Sequence, residues 1–180
     1  GFVGSNTAIA IKKSFENIRL TVLDNLYRKG SELNLPRLLK YGIRFIKGDV
    51  RDYASIEKAG RFDMIIECSA EPSVLAGKDG STNYLVETNL HGAINCAEYC
   101  RRHGSSIIFL STSRVYPVSM LLKCEIRKTK EDFDFAKKQV IPGVSDRGIS
   151  ENFPMSGARS LYGATKFAAE TMLVDYADAF

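Results

Sequence analysis

The stretch that decides the fold is GFVGSNTAIAIKKSFENIRLTVLDN, residues 1–25. Gly1 and Gly4 precede a run of small and apolar residues at helical spacing, which predicts a helix. A short run rich in β-branched residues follows and closes on Asp24, which predicts a strand that ends in an acid. Gly1 and Gly4 fit the last two glycines of a G-x-x-G-x-x-G turn. We therefore expect a turn, helix and strand here, with the first glycine and its strand preceding residue 1.

Downstream of this unit, predicted strands and helices alternate. We expect strands in IRFIKGDV (43–50), FDMIIECSA (62–70) and SSIIFLSTS (105–113), and helices over 33–40, 52–60, 82–103 and from 160 onward. Strands that are apolar throughout are typical of a parallel sheet that is covered on both faces. The alternation therefore predicts an α/β domain with a doubly wound parallel sheet. Residues 117–160 show no strong period and are expected to form a long mixed segment.

The composition excludes several classes of partner. The net charge is +4 and the Lys and Arg residues are scattered, so we expect no nucleic-acid-binding stripe. No apolar run approaches membrane-spanning length, so we expect no membrane partner. The four cysteines and two histidines do not cluster along the sequence. We therefore expect reduced thiols, no metal site and a cytoplasmic location.

Acidic residues at two strand ends indicate what the glycine turn binds. Glycines at a helix start let the backbone approach a pyrophosphate, and the helix N-terminus stabilises its charge. Asp24 lies 20 residues beyond Gly4, where a carboxylate accepts hydrogen bonds from ribose hydroxyls and repels a 2′-phosphate. Asp49, in the GDV run, supplies a second acidic strand end on the adenine side. These features predict NAD rather than NADP, a preference that Arg28 and Lys29 weaken without reversing.

An ordered set of motifs extends this interpretation over the whole chain. The motifs are GFVGSN, VLDNL, KGDVRD, ETNLHGAINCAEYC, LSTSRVY and LYGATKFAAE. With them the chain resembles the extended short-chain dehydrogenase/reductases, and among these the NAD-dependent nucleotide-sugar epimerases and dehydratases. The resemblance implies a Rossmann-type doubly wound sheet, NAD as cofactor and a nucleotide-sugar substrate. It also implies a homo-oligomer, a dimer or tetramer, for the full-length protein.

The same resemblance implies that residues 1–180 are one dinucleotide-binding domain, incomplete at both ends. The first strand of the sheet and the C-terminal substrate lobe would lie outside it. We therefore expect these residues alone to be inactive. Because the missing lobe carries most of the sugar-binding residues, the sequence does not name the sugar.

The family motifs assign roles to individual residues. By resemblance, Tyr162 is the catalytic base, Lys166 is its partner, and Thr112 hydrogen-bonds the reacting sugar hydroxyl. Asn89 matches an asparagine that supports this constellation. Glu67 stands where many relatives carry histidine, and it receives no role. The expected cofactor contacts are Gly1, Phe2, Val3, Gly4, Asp24, Asn25, Asp49, Val50, Asn89, Tyr162 and Lys166.

The Tyr162/Lys166 pair suits the removal of a proton from a sugar hydroxyl. A tyrosine phenol has a pKa of about 10 in water and is a poor base near neutral pH. A nearby cation stabilises the phenolate, and a lysine four residues later lies on the same helical face. We therefore interpret the pair as a base and its activator. By resemblance, Lys166 also bonds the nicotinamide ribose, and Thr112 can pass on the proton.

Two features favour an epimerase within the family. Ser113 and Arg114 stand where the 4,6-dehydratases carry an Asp-Glu pair, so elimination of water is disfavoured. The long interval from Tyr116 to Tyr162, with GISE at 148–151, resembles the CDP-paratose (CDP-tyvelose) 2-epimerase group and exceeds that of UDP-galactose 4-epimerase-like proteins. A nucleotide-sugar oxidoreductase or reductase and a UDP-sugar 4-epimerase stay open. A 4,6-dehydratase or a non-catalytic binding protein is less favoured.

Overall fold

The computed structural model describes residues 1–15, 17–77 and 81–180. Up to residue 109 strands and helices alternate, as the sequence predicts. The elements in this part are helix α1 (Phe2–Ser14), strand β1 (Thr21–Asp24), a 3-10 turn (Ser31–Asn34), α2 (Leu35–Lys40), β2 (Arg44–Lys47), α3 (Tyr53–Ala59), β3 (Met64–Glu67), α4 (Asn83–Val86), a π-helical segment (Glu87–His91), α5 (Gly92–His103) and β4 (Ser106–Phe109).

The strands of this part form two parallel pairs. β1 pairs with β2 and places Asp24 beside Lys47, and β3 pairs with β4 and places Glu67 beside Phe109. Parallel strands joined through helices are the βαβ arrangement of an α/β domain. The predicted fold class, a doubly wound α/β domain, is therefore confirmed. Among the described residues β1 does not pair with β3, so each of these two strands has one open edge.

Two clusters of buried side chains attach the helices to the strands. The first joins α1 and α2 to β1 and consists of Ala8, Ile9, Leu38 and Ile43, with Leu20, Val22 and Tyr41 packed against them. The second joins α3 and α5 to β3 and β4 and consists of Ile56, Cys96, Tyr99 and Cys100, with Val50, Tyr53, Phe62, Ile65 and Ile107 packed against them. Each strand pair is thus stabilised by its own helices.

One face of the β3–β4 pair is less covered than the sequence predicts. Ile65 and Ile107 pack into the second cluster, whereas Met64 and Ile108 are 50% and 47% exposed. Side chains alternate between the two faces along a strand, so the exposed pair lies on the face opposite α5. The expected cover on both faces is therefore incomplete here, because the described helices protect that second face only in part.

The predicted helix over 82–103 is continuous but not uniform. α4 runs into the π-helical segment Glu87–His91 and then into α5. Gly104 ends the helix in the left-handed region, with φ at 65°, a conformation that glycine adopts without strain. π-helical segments recur at functional sites. Asn89 lies in this segment and is 1% exposed.

The rest of the chain leads through short elements to the last helix. It contains a second 3-10 turn (Ser113–Val115), α6 (Val118–Leu121), β5 (Ile126–Lys128), β6 (Phe133–Phe135), β7 (Val144–Ser145), β8 (Gly148–Ile149) and α7 (Leu161–Ala179). β5 with β6 and β7 with β8 form antiparallel hairpins. The mixed segment predicted for 117–160 thus holds two small hairpins, whose two- and three-residue strands are too short to show an alternating pattern.

Removing the Tyr99 hydroxyl should destabilise the fold. Tyr99 is 0% exposed, and its hydroxyl donates to the Gly60 carbonyl at 2.7 Å and accepts from the Phe62 N–H at 3.2 Å. Tyr99→Phe leaves both groups unpaired, so we expect the free energy of unfolding to fall by about 1–3 kcal/mol. Urea unfolding of the full-length protein measures this, with Tyr27→Phe, at a 68% exposed position, as control. Equal stability of the two variants would contradict the expectation.

Candidate functional site

The first turn of α1 lies between the carboxyl ends of the two strand pairs. On one side, Gly1 lies beside Asp24, the last residue of β1. On the other side, a Cβ added to Gly4 would lie 3.4 Å from the Cβ of Cys68, which follows β3. The N–H groups of a first turn have no intrahelical acceptor, and within the described residues no side chain caps α1. The turn therefore presents backbone donors beside Asp24, an arrangement suited to an anion.

A second acidic strand end lies close to the first. Asp49 follows β2, and its carboxylate accepts from the Asn25 side chain at 2.9 Å and from two Arg51 nitrogens at 3.0 and 2.7 Å. The hydrogen bond from Arg51 lowers the pKa of Asp49 to about 2, and the one from Asn25 contributes. The carboxylate is therefore an acceptor at neutral pH. The sequence analysis named Asn25 and Asp49 but missed Arg51, which the KGDVRD motif places two positions after Asp49.

Val50 is fixed against α5. The Asn95 side chain donates to the Val50 carbonyl at 2.8 Å. A Cβ added to Gly92 would lie 2.7 Å from a Val50 methyl carbon, so only glycine allows this approach without a shift. The sequence analysis did not anticipate Asn95 or Gly92, because neither contact follows from spacing along one helix.

The predicted base and its partner lie at the start of α7. Tyr162 and Lys166 are 9% and 1% exposed. The Ser160 side chain caps the helix by accepting from the Gly163 N–H at 3.0 Å. A Cβ added to Gly163 would lie 2.1 Å from the Arg114 carbonyl oxygen. Gly163 thus lets the first turn of α7 pack directly on the second 3-10 turn.

Thr112 belongs to the same assembly. Its hydroxyl oxygen caps the second 3-10 turn by accepting from the Arg114 N–H at 3.2 Å. Arg114 in turn contacts Gly163, the neighbour of Tyr162. The structure thereby brings the Thr112 turn against the start of the helix that carries Tyr162 and Lys166. Ser113 and Arg114, which replace the acid pair of the dehydratases, lie in that turn and are exposed.

Asn89 ties three parts of the site together. Its side-chain oxygen accepts from the Glu71 N–H at 2.7 Å, and its nitrogen donates to the Glu71 carbonyl at 3.1 Å and to the Thr165 hydroxyl at 3.2 Å. Glu71 lies in the loop after β3, and Thr165 precedes Lys166 on α7. These three hydrogen bonds join the π-helical segment to that loop and to α7, so Asn89 positions the helix of the predicted base.

Glu67 is the residue whose importance the sequence analysis missed. It ends β3 and is 4% exposed, and its Oε2 lies 3.8 Å from the Nζ of Lys166. The Nζ also lies 3.8 Å from the centre of the Phe109 ring, a cation–π contact. The available signal was that Glu67 departs from the common histidine. A contact between residues so far apart in sequence does not follow from that signal.

Burial and charge act in opposite directions on this pair. Burial raises the pKa of Glu67, and Lys166 and Ser69 counteract the rise. Burial lowers the pKa of Lys166, and Glu67 counteracts the fall. Each group therefore helps to keep the other ionised.

Three further properties hold for residues 1–15, 17–77 and 81–180, the part of the chain that the structure describes. No group of three or more His, Cys, Asp or Glu side chains there could hold a metal ion. No helix there is both long and apolar enough to cross a membrane. All four cysteines are free thiols.

The whole chain, residues 1–180, matches the model of a family described as the NAD dependent epimerase/dehydratase family. CDP-paratose 2-epimerase from Salmonella typhi is 31% identical over 189 residues, which cover 100% of this chain and 51% of that protein. UDP-glucose 4-epimerase from Neisseria meningitidis serogroup B is 28% identical over 182 residues, covering 97% and 45% of the two proteins.

A solved structure shows the same fold. The UDP-Glc/GlcNAc 4-epimerase from Campylobacter jejuni has a TM-score of 0.74 at 23% identity, over 99% of this chain and 47% of that chain. The likeness agrees with a Rossmann-type domain. The chain spans about half the length of the relatives that it matches.

Replacing Gly163 by alanine should destabilise the fold, although this change usually stabilises a helix. Elsewhere in a helix this change stabilises by about 1 kcal/mol. Here the new Cβ would meet the Arg114 carbonyl oxygen at 2.1 Å, so we expect Gly163→Ala to lower the free energy of unfolding by about 1–3 kcal/mol. Urea unfolding tests this. The matched control is Ala164→Gly at the exposed next position, which should cost about 1 kcal/mol. A gain in stability for Gly163→Ala would contradict the close approach.

Proposed function

The chain belongs to the NAD dependent epimerase/dehydratase family, and on this premise we propose that the full-length protein is an NAD-dependent nucleotide-sugar epimerase. The observation that carries the proposal is the buried Tyr162/Lys166 pair at the start of α7, packed against the turn that Thr112 caps. Such an enzyme oxidises a sugar hydroxyl transiently and reduces the resulting ketone from the other face.

The cofactor of the family is NAD, and the glycine turn fits its pyrophosphate. The first turn of α1, from Gly1 to Gly4, would offer its N–H groups to a phosphate. Asp24, beside this turn, would accept hydrogen bonds from the adenosine ribose hydroxyls.

The second acidic strand end would hold the adenine. The Asp49 carboxylate accepts four hydrogen bonds from Asn25 and Arg51, and we propose that the exocyclic amino group of adenine replaces one of them. Asn25 and Arg51 fix its orientation, and Asn95 fixes the neighbouring Val50. We propose that Asn25, Asp49 and Val50 surround the base.

The residues at the start of α7 would carry out the proton transfers. Bound NAD would supply the hydride acceptor for the oxidation and the hydride donor for the reduction. Tyr162 takes the proton of the reacting hydroxyl during oxidation and gives it back during reduction. Lys166 stabilises the phenolate with its positive charge and bonds the nicotinamide ribose. Thr112 orients the sugar hydroxyl, and Asn89 holds the helix in place.

Among the epimerases, we propose one that resembles CDP-paratose 2-epimerase. The long segment between the Thr112 turn and α7 and the 31% identity to that enzyme support this choice. Ser113 and Arg114 lack the acid–base pair that water elimination needs, which disfavours a 4,6-dehydratase. A UDP-sugar 4-epimerase is the second candidate, because relatives of that activity match the chain at 28% identity.

Assembly and location are further parts of the proposal. We propose a homo-oligomer for the full-length protein, as the resemblance to the family implies. We propose a cytoplasmic location, which the four free thiols support.

The cofactor preference is tested at Asp24. The full-length protein should bind NAD more tightly than NADP, because a carboxylate at this position repels a 2′-phosphate. Asp24→Ala should weaken NAD binding by about tenfold or more, a loss of at least about 1.4 kcal/mol. Asp24→Asn should chiefly reduce the preference. Calorimetric titration of both cofactors measures these effects, and tighter binding of NADP by the unaltered protein would contradict the assignment.

Catalysis is tested at Tyr162 with a panel of CDP-, UDP- and dTDP-linked sugars. Tyr162→Phe should lower the turnover rate by about 100-fold or more. It should leave the free energy of unfolding nearly unchanged. Lys166→Met should lose both rate and NAD affinity. The control is Tyr27→Phe, which alters an exposed tyrosine away from the helix. Product analysis by NMR measures turnover, and near-normal turnover by Tyr162→Phe would remove it as the base.

A further inference from the structure

The proposed catalytic lysine is almost completely enclosed by the protein. The Lys166 side chain is 2% exposed and that of Glu67 is 3% exposed. The Phe109 ring covers one side of the ammonium group. A buried lysine tends to lose its proton, because burial disfavours the charged form. A neutral Lys166 could not stabilise a phenolate, so something must hold its charge.

Glu67 is placed to hold that charge. Its Oε1 accepts hydrogen bonds from the Ser69 N–H, at 2.8 Å, and from the Ser69 hydroxyl. Such bonds favour the ionised carboxylate and fix its orientation. Its Oε2 is buried and has no hydrogen-bond partner in the described part of the chain. This is the oxygen that faces Lys166.

The distance between Glu67 and Lys166 matters as much as the opposite signs of their charges. At 3.8 Å the Nζ–Oε2 distance exceeds the 2.7–3.2 Å of a normal N–H···O bond. At such a range, an opposite charge still shifts a pKa by about 1–3 units. Glu67 therefore balances the positive charge of Lys166 without accepting a hydrogen bond from any of its three N–H donors. Those donors remain for other acceptors.

The other ionisable groups around Lys166 are weaker candidates. Burial raises the pKa of the Cys68 thiol, so this neighbour is neutral near neutral pH. Glu170 lies one turn further along α7 and is partly exposed, so water screens its charge. Tyr162 lies one turn before Lys166. Glu67 is the main opposing charge on Lys166, ahead of Glu170.

We propose that Glu67 is a positioning residue, which keeps Lys166 protonated inside the site while leaving its N–H donors free for the nicotinamide ribose. The proposal deepens the proposed function and rests on it for the role of Lys166. The state of the Glu67–Lys166 pair itself does not depend on turnover. It can therefore be measured without substrate and without cofactor.

The direct test is an NMR titration of the full-length, cofactor-free protein labelled in its lysine side chains, with Lys166→Met to assign the signal. In the unaltered protein Lys166 should stay protonated through neutral pH. Glu67→Gln keeps the shape and removes the charge, so the Lys166 midpoint should fall by about 1–3 pH units. Glu67→Asp keeps the charge, so the Lys166 midpoint of this variant should lie above that of Glu67→Gln. The matched control, Glu170→Gln, should shift the midpoint by less than about one unit.

A second readout connects the pair to the cofactor. Removing the charge of Glu67 should lower the folded-state pKa of Lys166. In Glu67→Gln, NAD affinity should therefore begin to fall at a lower pH than in the unaltered protein. A merely structural role for Glu67 would weaken NAD binding equally at all pH values.

The outcomes separate the two proposals. An unchanged Lys166 midpoint in Glu67→Gln overturns the role of Glu67, and so does a neutral Lys166 at neutral pH in the unaltered protein. The latter needs no Glu67 variant, so it decides even if Glu67→Gln fails to fold. If the midpoint shifts as expected but the protein binds no NAD and acts on no nucleotide sugar, the proposed function fails while the charge coupling stands.

Discussion

The clamp formed by Asn89 is the interaction on which the geometry of the site depends. A single buried amide joins the helix after β3, the loop that follows β3 and the helix that bears the proposed base. Its bond to the Thr165 hydroxyl holds α7, so a movement of α7 away from Asn89 would break this buried hydrogen bond, and a buried group left unpaired costs about 1–3 kcal/mol. The π-helical segment places Asn89 where it can reach both partners. Since Thr165 is the third partner, the clamp fixes the residue that adjoins Lys166.

With α7 held in this way, the ends of the parallel strands supply the rest of the site. Asp24 and Glu67 both end strands, but their surroundings give them different tasks. Asp24 borders the glycine turn, where a carboxylate can meet the hydroxyls of a ligand. Glu67 is enclosed and faces a buried lysine. In the proposed function, the same side-chain chemistry would serve ligand binding at one strand end and control of charge at the other.

The sequence predicted the parts of the site that depend on local pattern. Helix start, strand end and the four-residue spacing of Tyr162 and Lys166 are set by neighbours along the chain, and the structure has them where they were expected. Contacts between segments that are distant in the sequence could not be predicted, because hydrophobic periodicity carries no information on them. The Glu67–Lys166 pair and the close approach of Gly163 to Arg114 are of this kind.

We propose that the full-length protein oxidises and re-reduces the same sugar carbon without net exchange of its cofactor. The most direct measurement uses a nucleotide sugar deuterated at the carbon whose configuration changes, with the full-length protein in ordinary water. An epimerase of the proposed kind returns the same hydrogen, so the epimerised product should keep its deuterium without added reduced cofactor. Loss of deuterium to solvent, or a product that forms only with stoichiometric NAD or NADH, would contradict the claim.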